Sequence, residues 1–168
     1  MKEILLANGR GVALVDDEDY DWLMQWKWHL DNHGYAKRTR WSKQDDKKTC
    51  VGIRMHRVIL GITNSQVKVD HINSNRLDNQ RKNLRIATNS QNAMNRRPKN
   101  GSSSQFKGVG WHKAAQKWCA YIAHNRRSIY LGVFNSEMEA ARARDKAAKL
   151  YHGDFAKLNF PEEGEVAA

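Results

Sequence analysis

Cysteine is scarce in this chain. Cys50 and Cys119 are the only two among 168 residues, too few for a disulfide framework or a four-cysteine zinc site. Long apolar runs are also missing. No stretch approaches the roughly 20 apolar residues that span a bilayer, and the opening MKEILLANGR lacks the apolar segment of a secretory signal. These shortages predict no membrane partner and a reducing, cytoplasmic compartment. Acid is the third shortage: Asp and Glu number 18 against 29 Lys and Arg, a formal net charge of +11. Such an excess favours a polyanion as partner. Apolar residues, at 40%, are enough for the core of one ordinary domain or two small ones.

The charge is uneven. Residues 96–161 hold 13 basic and 4 acidic side chains, whereas residues 1–95 hold 16 and 11. Acid gathers at Asp16, Asp17, Glu18, Asp19 and Asp21, where it reads as a helix start, and again in the tail. Around Pro98, Asn100, Gly101 and three serines the composition is that of a short flexible linker. The predicted organisation is a domain over 1–97, a linker over 98–104, a second domain over 105–161 and an acidic tail over 162–168.

In the first half, Ile4–Leu6 and Val12–Val15 flank Asn8-Gly9-Arg10-Gly11 as a hairpin, and the acidic run opens a helix carrying Trp22, Leu23 and Trp26. Trp28 to Arg40 reads as a strand pair around Asn32-His33-Gly34, and Ser42–Lys48 as a polar loop. Val51, Ile53 and Met55 alternate as a strand, with His56 on the opposite face. The tryptophans read as core. Residues 69–95 carry the chemistry. Val67 and Val69 alternate into Asp70, Arg85–Ala87 forms a second short strand, and Thr88 with Gln91 opens a helix that runs to Pro98. Asn92, Asn95 and Arg96 share one face of that helix. Asp70 offers a carboxylate oxygen and Asn92 a carbonyl oxygen, a sparse hard pair that suits Mg²⁺ with retained waters and a phosphate. His71 titrates near neutrality and can take a proton from water. Asn83 lies mid-loop, where an amide binds both a backbone donor and a backbone acceptor.

The set Asp70-His71, Leu77-Asp78-Asn79, Asn83-Leu84-Arg85 and Asn92 resembles the HNH nucleases, whose ββα-metal unit occurs in phage and intron homing endonucleases. The resemblance runs from Met55 to about Arg96. It implies that Asp70 and Asn92 bind one divalent metal, Mg²⁺ with Mn²⁺ as the alternative. His71 would be the general base and Asn83 the clamp of the loop. His56, in the Met55-His56-Arg57 triplet, falls between support of the site and a purely structural role. With a histidine base, cleavage is expected to fall below roughly pH 6.

In the second half, 107–112, 118–123 and 128–134 read as three strands, and Ser136 with Glu139 opens an alanine-rich helix that ends near Gly153. Trp118 reads as core. Phe106-Lys107-Gly108-Val109, Trp118-Cys119-Ala120, Tyr130 to Phe134, Glu139-Ala140-Ala141 and Leu158 to Pro161 resemble the plant Apetala/ethylene-response-factor DNA-binding domain. That resemblance implies a three-stranded antiparallel sheet packed on one helix, with the sheet in the major groove of double-stranded DNA. Lys107, Lys117 and Tyr130 fall on contact positions of that family. Residue type and strand placement add Trp111, Lys113, Tyr121, Arg126 and Arg127. Gly110, Ala115 and Ala123 stand where the family has Arg, Trp and Arg, so its target sequence does not carry over.

The expected protein is of the α+β class, a ββα-metal nuclease domain followed by the sheet-and-helix module. The expected function is metal-dependent DNA cleavage of homing type, in a bacterial or phage-infected cell. One active site per chain implies nicking unless two chains pair, as a monomer or weak dimer. The alternative is a non-catalytic DNA-binding regulator with a vestigial nuclease unit. An RNA-binding protein ranks below both, because no aromatic ribonucleoprotein signature is present.

Overall fold

A computed structural model describes residues 1–44, 47–96 and 102–161. Residues 98–101 of the expected linker, Arg97 before them and the acidic tail from Glu162 lie outside the described residues. The chain forms two compact units, Met1–Thr88 and one that starts at Asn89. The division therefore falls ahead of the Pro-, Gly- and Ser-containing stretch.

In the first unit, β1 (Lys2–Leu5) and β2 (Val12–Val15) pair antiparallel with Lys2 opposite Val15. The acidic run follows as α1 (Asp17–Leu23), with Asp17, Glu18 and Asp19 at its positive end. The helix is shorter than expected and Trp26 lies beyond it. The indole Nε1 of Trp28 donates to the carbonyl of Leu23 at 2.8 Å, one of the acceptors that a further turn would use. Trp26 instead stands edge-on to both Trp22 and Trp28. All three tryptophans pack with Ile4, Leu6, Val15, Leu23, Met55 and Leu84 in the core of this unit.

β3 (His29–Leu30), β4 (Ala36–Gln44) and β5 (Lys47–Arg54) form an antiparallel sheet with β4 central. Two expectations are corrected here. Within the expected loop Ser42–Lys48, Ser42–Gln44 and Lys47–Lys48 are strand, pairing Ser42 with Thr49 and Gln44 with Lys47, while Asp45 and Asp46 lie outside the described residues. Backbone bonds carry an antiparallel ladder, so polar side chains do not end it. The strand expected to reach His56 stops at Arg54, and the chain turns into α2 (Met55–Ile59). The change of period from two to 3.6 moves His56 from a polar strand face into the interior.

β6 (Lys68–His71) and β7 (Leu84–Ala87) pair antiparallel, Asp70 opposite Arg85 and His71 opposite Leu84, with a 3-10 turn at Arg81–Asn83 leading into β7.

The second unit begins with α3 (Asn89–Met94), which ends well before Pro98, contrary to expectation. Then come β8 (Val109–His112), β9 (Lys117–His124) and β10 (Arg127–Phe134), antiparallel with β9 central. α4 (Glu137–His152) starts at a reciprocal Ser136–Glu139 box and buries Ala140, Ala141, Ala147 and Ala148 against Ala120, Ile122 and Trp118. Alanine lets the helix backbone approach the sheet closely. At Gly108 the approach is tighter still: φ is +73°, and an added Cβ would lie 2.4 Å from the carbonyl oxygen of Tyr121. The whole is of the α+β class. No described helix is long and apolar enough to cross a membrane.

Candidate functional site

Asp70 and His71 end β6, and both are buried, at 5% and 4% exposure. Neighbours on a strand face opposite ways, and these two diverge. Asp70 reaches across the ladder to Arg85, whose Nε and Nη2 donate to Oδ2 at 3.0 and 2.8 Å. His71 turns toward rings: His56 stands edge-on at 5.1 Å between centroids and Tyr35 at 5.8 Å. The guanidinium groups of Arg54 and Arg76 lie over Tyr35 at 4.5 and 5.0 Å.

The imidazole Nε2 of His71 lies 3.5 Å from Oδ1 of Asn79, a fully buried residue. The amide nitrogen of Asn79 already donates to the Leu77 carbonyl. Its oxygen can therefore only accept from Nε2–H, which leaves Nδ1 as the basic nitrogen of His71. Burial pushes the His71 pKa below its ordinary value, and the Asn79 contact and Asp70 oppose that shift. His56 is pushed down to about 3, by burial first and then by the neighbouring His71 and Arg54. Both rings are neutral at pH 7, and Nδ1 of His56 is buried without a hydrogen-bond partner.

Asn83 sits in the 3-10 turn rather than mid-loop. Its Oδ1 accepts from the Asn73 backbone N–H at 2.9 Å, and its Nδ2 donates to the Asp78 carbonyl at 2.8 Å. One amide therefore ties the two ends of the loop from Asn73 to Asp78. Asp78 accepts from the side chains of Asn73 and Gln80. The loop also docks on the N-terminal elements. The Leu14 backbone bonds to Leu77 and Asn79, and Arg81 grips buried Asp19 through two bonds of 2.9 and 2.7 Å. The acidic run that starts α1 thus also fixes the segment carrying Asn83.

Asn92 stands half-buried on α3, in the second unit. In that unit, cross-strand partners share a face, and the register puts His112 with Lys117 and Tyr121 with Tyr130. Lys117, Tyr121 and Tyr130 are exposed on the face away from α4, the tyrosine rings 5.3 Å apart. Lys113 and Arg126 are exposed at the two turns, and Arg127 is exposed at the start of β10. Trp111 differs. It pairs with core Trp118, edge-to-face at 5.1 Å, and so belongs to the helix side of the sheet at its rim. Lys107 also differs, because its ammonium is turned onto backbone carbonyls.

Sequence reasoning missed Asn79 as a partner of His71, and it missed Tyr35 and Arg85. Arg85 was findable from the strand register alone. Tyr35 and Asn79 arrive from turns, where no periodicity announces a contact. Among the described residues, no three His, Cys, Asp or Glu side chains gather as a metal site. The Asp70 carboxylate and the Asn92 amide oxygen are hard donors, and that donor chemistry fits a hard cation that keeps its waters.

A family model for HNH endonucleases matches residues 55–94. An uncharacterized HNH endonuclease of Acanthamoeba polyphaga mimivirus is 30% identical over 162 residues, covering 92% of this chain and 79% of that protein. An APETALA2-like protein of Oryza sativa subsp. japonica is 45% identical over 60 residues, 34% of this chain and 14% of the plant protein. A dehydration-responsive element-binding protein of Arabidopsis thaliana is 42% identical over 66 residues, 38% of this chain and 19% of its own length.

Proposed function

The chain belongs to the HNH endonuclease family, and from that premise we propose that it is a metal-dependent DNA endonuclease of homing type. Its second unit selects the site at which the first cuts. The observation that carries this reading is the end of β6, where a buried carboxylate and a buried imidazole follow each other on the strand and turn apart, each oriented by a partner.

Nucleases of this family generally use a divalent metal, and here Asp70 and Asn92 would hold it, with Mg²⁺ preferred and Mn²⁺ able to substitute. When bound, such a cation supplies Lewis-acid neutralisation of the phosphate charge. His71 takes the proton of the attacking water on Nδ1, while Asn79 holds the opposite nitrogen. Water oxygen bonds to phosphorus, the bond to the 3′ oxygen breaks, and a proton from solvent completes the 3′ hydroxyl beside the 5′ phosphate, while His71 returns its proton to solvent. Asn83 keeps the loop beside His71 closed, and the rings of His56 and Tyr35 exclude water from one side of the base. Because burial lowers the His71 pKa, the acid limb of activity lies below the position expected for an ordinary histidine.

Lys117, Tyr121 and Tyr130 on the open face, with Lys113, Arg126 and Arg127 around it, contact double-stranded DNA. This architecture, a three-stranded sheet whose free face is basic and aromatic, fits the major groove. The name of the dehydration-responsive element-binding relative supports recognition of DNA. Trp111 contributes at the rim. One site per chain makes a nick the product of a single engagement. The test is supercoiled plasmid incubated with purified protein and Mg²⁺, or with chelator. Nicked or linear product only with metal is expected; unchanged plasmid under both conditions overturns the proposal.

A further inference from the structure

Lys107 lies at a position where the plant resemblance implies a DNA contact, yet its surroundings point elsewhere. Its backbone is gripped from both sides by one residue: Asn159 Oδ1 accepts from Lys107 N at 2.7 Å, and Asn159 Nδ2 donates to Lys107 O at 3.1 Å. Asn159 is in turn fixed to the α4 carboxylate of Asp145, which accepts from its backbone and its side chain. From this rigid base the half-buried lysine stem delivers its ammonium to the end of α3. There it donates to the carbonyls of Ala93, Met94 and Arg96, the last at 2.6 Å. An ammonium has three donors, and three acceptors meet it.

These carbonyls follow directly on Asn92. α3 has six residues, no acid in its first turn, no base in its last and no buried side chain. A helix that short does not hold itself in water, and its terminal carbonyls need partners. A cation at the carboxyl end supplies both the partner and favourable charge. The same contact explains why the helix stops at Met94 instead of running on toward Pro98.

We infer that Lys107 is a positioning residue for Asn92: it clamps the carboxyl end of α3 and so fixes the amide that the proposed function gives to the metal. The inference rests on that reading of Asn92. It makes the second unit a contributor to cleavage as well as to site selection.

The test uses the full-length chain with Lys107→Met, which keeps the stem, and Lys107→Arg, which keeps the charge. Three quantities are read: amide hydrogen exchange over residues 89–96 without metal, binding to a labelled duplex in chelator across a salt series, and plasmid cleavage across a Mg²⁺ series. For Lys107→Met, exchange should rise in 89–96 while α4 stays protected. Duplex affinity and its salt slope should not change. The Mg²⁺ concentration for half-maximal cleavage should rise about 10- to 100-fold, the usual effect of removing a group that orients a metal ligand. Lys107→Arg should recover most of that loss. A salt slope reduced by about one with an unchanged Mg²⁺ requirement would make Lys107 a phosphate contact and overturn the inference. Unchanged exchange over 89–96 would overturn it as well. Wild-type protein that cleaves normally beside an unaffected Lys107→Met removes this inference alone. A wild type silent at every Mg²⁺ concentration removes the nuclease reading, and the role at Asn92 with it.

Discussion

The two units of this protein hold their candidate functional side chains in opposite ways. The first buries Asp19, His56, Asp70, His71, Asn79 and Asn83, each below a tenth exposed, among tryptophan and aliphatic side chains. The second also buries polar groups, Arg144, Asp145 and His152 among them, but leaves Lys117, Tyr121 and Tyr130 in the open on the sheet face away from its alanine-rich interior. Burial makes a polar group expensive unless it is paired, and pairing fixes its direction. That is what a proton acceptor requires, because it must meet one atom of substrate in one geometry. An exposed side chain stays hydrated until the partner arrives and can adapt to many sequences. On the proposed function, chemistry falls to the first unit and recognition to the second, and substitutions separate the two.

The largest effect is expected at Asp70. Asp70→Asn keeps the shape and an oxygen facing Arg85 but removes the negative charge. Plasmid cleavage should fall at least about 10²-fold, since the charge stabilisation at stake is several kcal/mol. Duplex binding in chelator should be unaffected. Gly108→Ala attacks the other unit. Left-handed backbone and a clash with the Tyr121 carbonyl together cost about 2–5 kcal/mol. Thermal unfolding should reveal loss of the second unit, and high-affinity binding should go with it.

The next effect is a pH dependence from buried histidines, His56 and His71 in the first unit and His152 in the second, whose pKa burial also lowers. The folded-state pKa of His56 is about 3 against an ordinary 6.5, and His71 is also lowered. Between those limits the unfolded chain binds protons that the folded chain refuses. Their stabilisation is complete above about pH 6.5 and is lost as pH falls, by up to about 1.4 kcal/mol per pH unit for each histidine. Urea midpoints measured from pH 7.5 to pH 5 should follow that slope, and His56→Phe should flatten it. The smallest effect is Lys117→Ala. It should lower the dependence of log affinity on log salt by about one and leave single-turnover cleavage of bound duplex unchanged.

How much of this was legible in the sequence follows the same division. The strands of the second unit, the Ser136–Glu139 box and the exposed Tyr121–Tyr130 pair come from alternation and local spacing, which one stretch of chain carries by itself. Trp111 was named from its residue type, whereas the strand register sets its face beside Trp118. In the first unit the β1–β2 hairpin and the ends of β6 and β7 were readable. The fate of His56 was not, because a strand-like run becomes a helix at Met55 and only the surrounding core decides that. The bonds from Asp19 to Arg81 and from Asn79 to His71 join residues from separate segments. Long-range pairing of buried polar groups leaves no period to detect. Lys107 has the chemical type of a phosphate contact, and no sequence pattern announces the backbone carbonyls that its ammonium meets.

The most direct measurement of the central claim takes a single end-labelled duplex and the His71→Ala protein, and records cleavage in Mg²⁺ and equilibrium binding in chelator on that same duplex. Loss of the base predicts cleavage reduced by about 10² to 10⁴, with affinity and salt slope equal to wild type. Equal cleavage by the two proteins, or a parallel loss of binding, would contradict the assignment of chemistry to the buried site of the first unit.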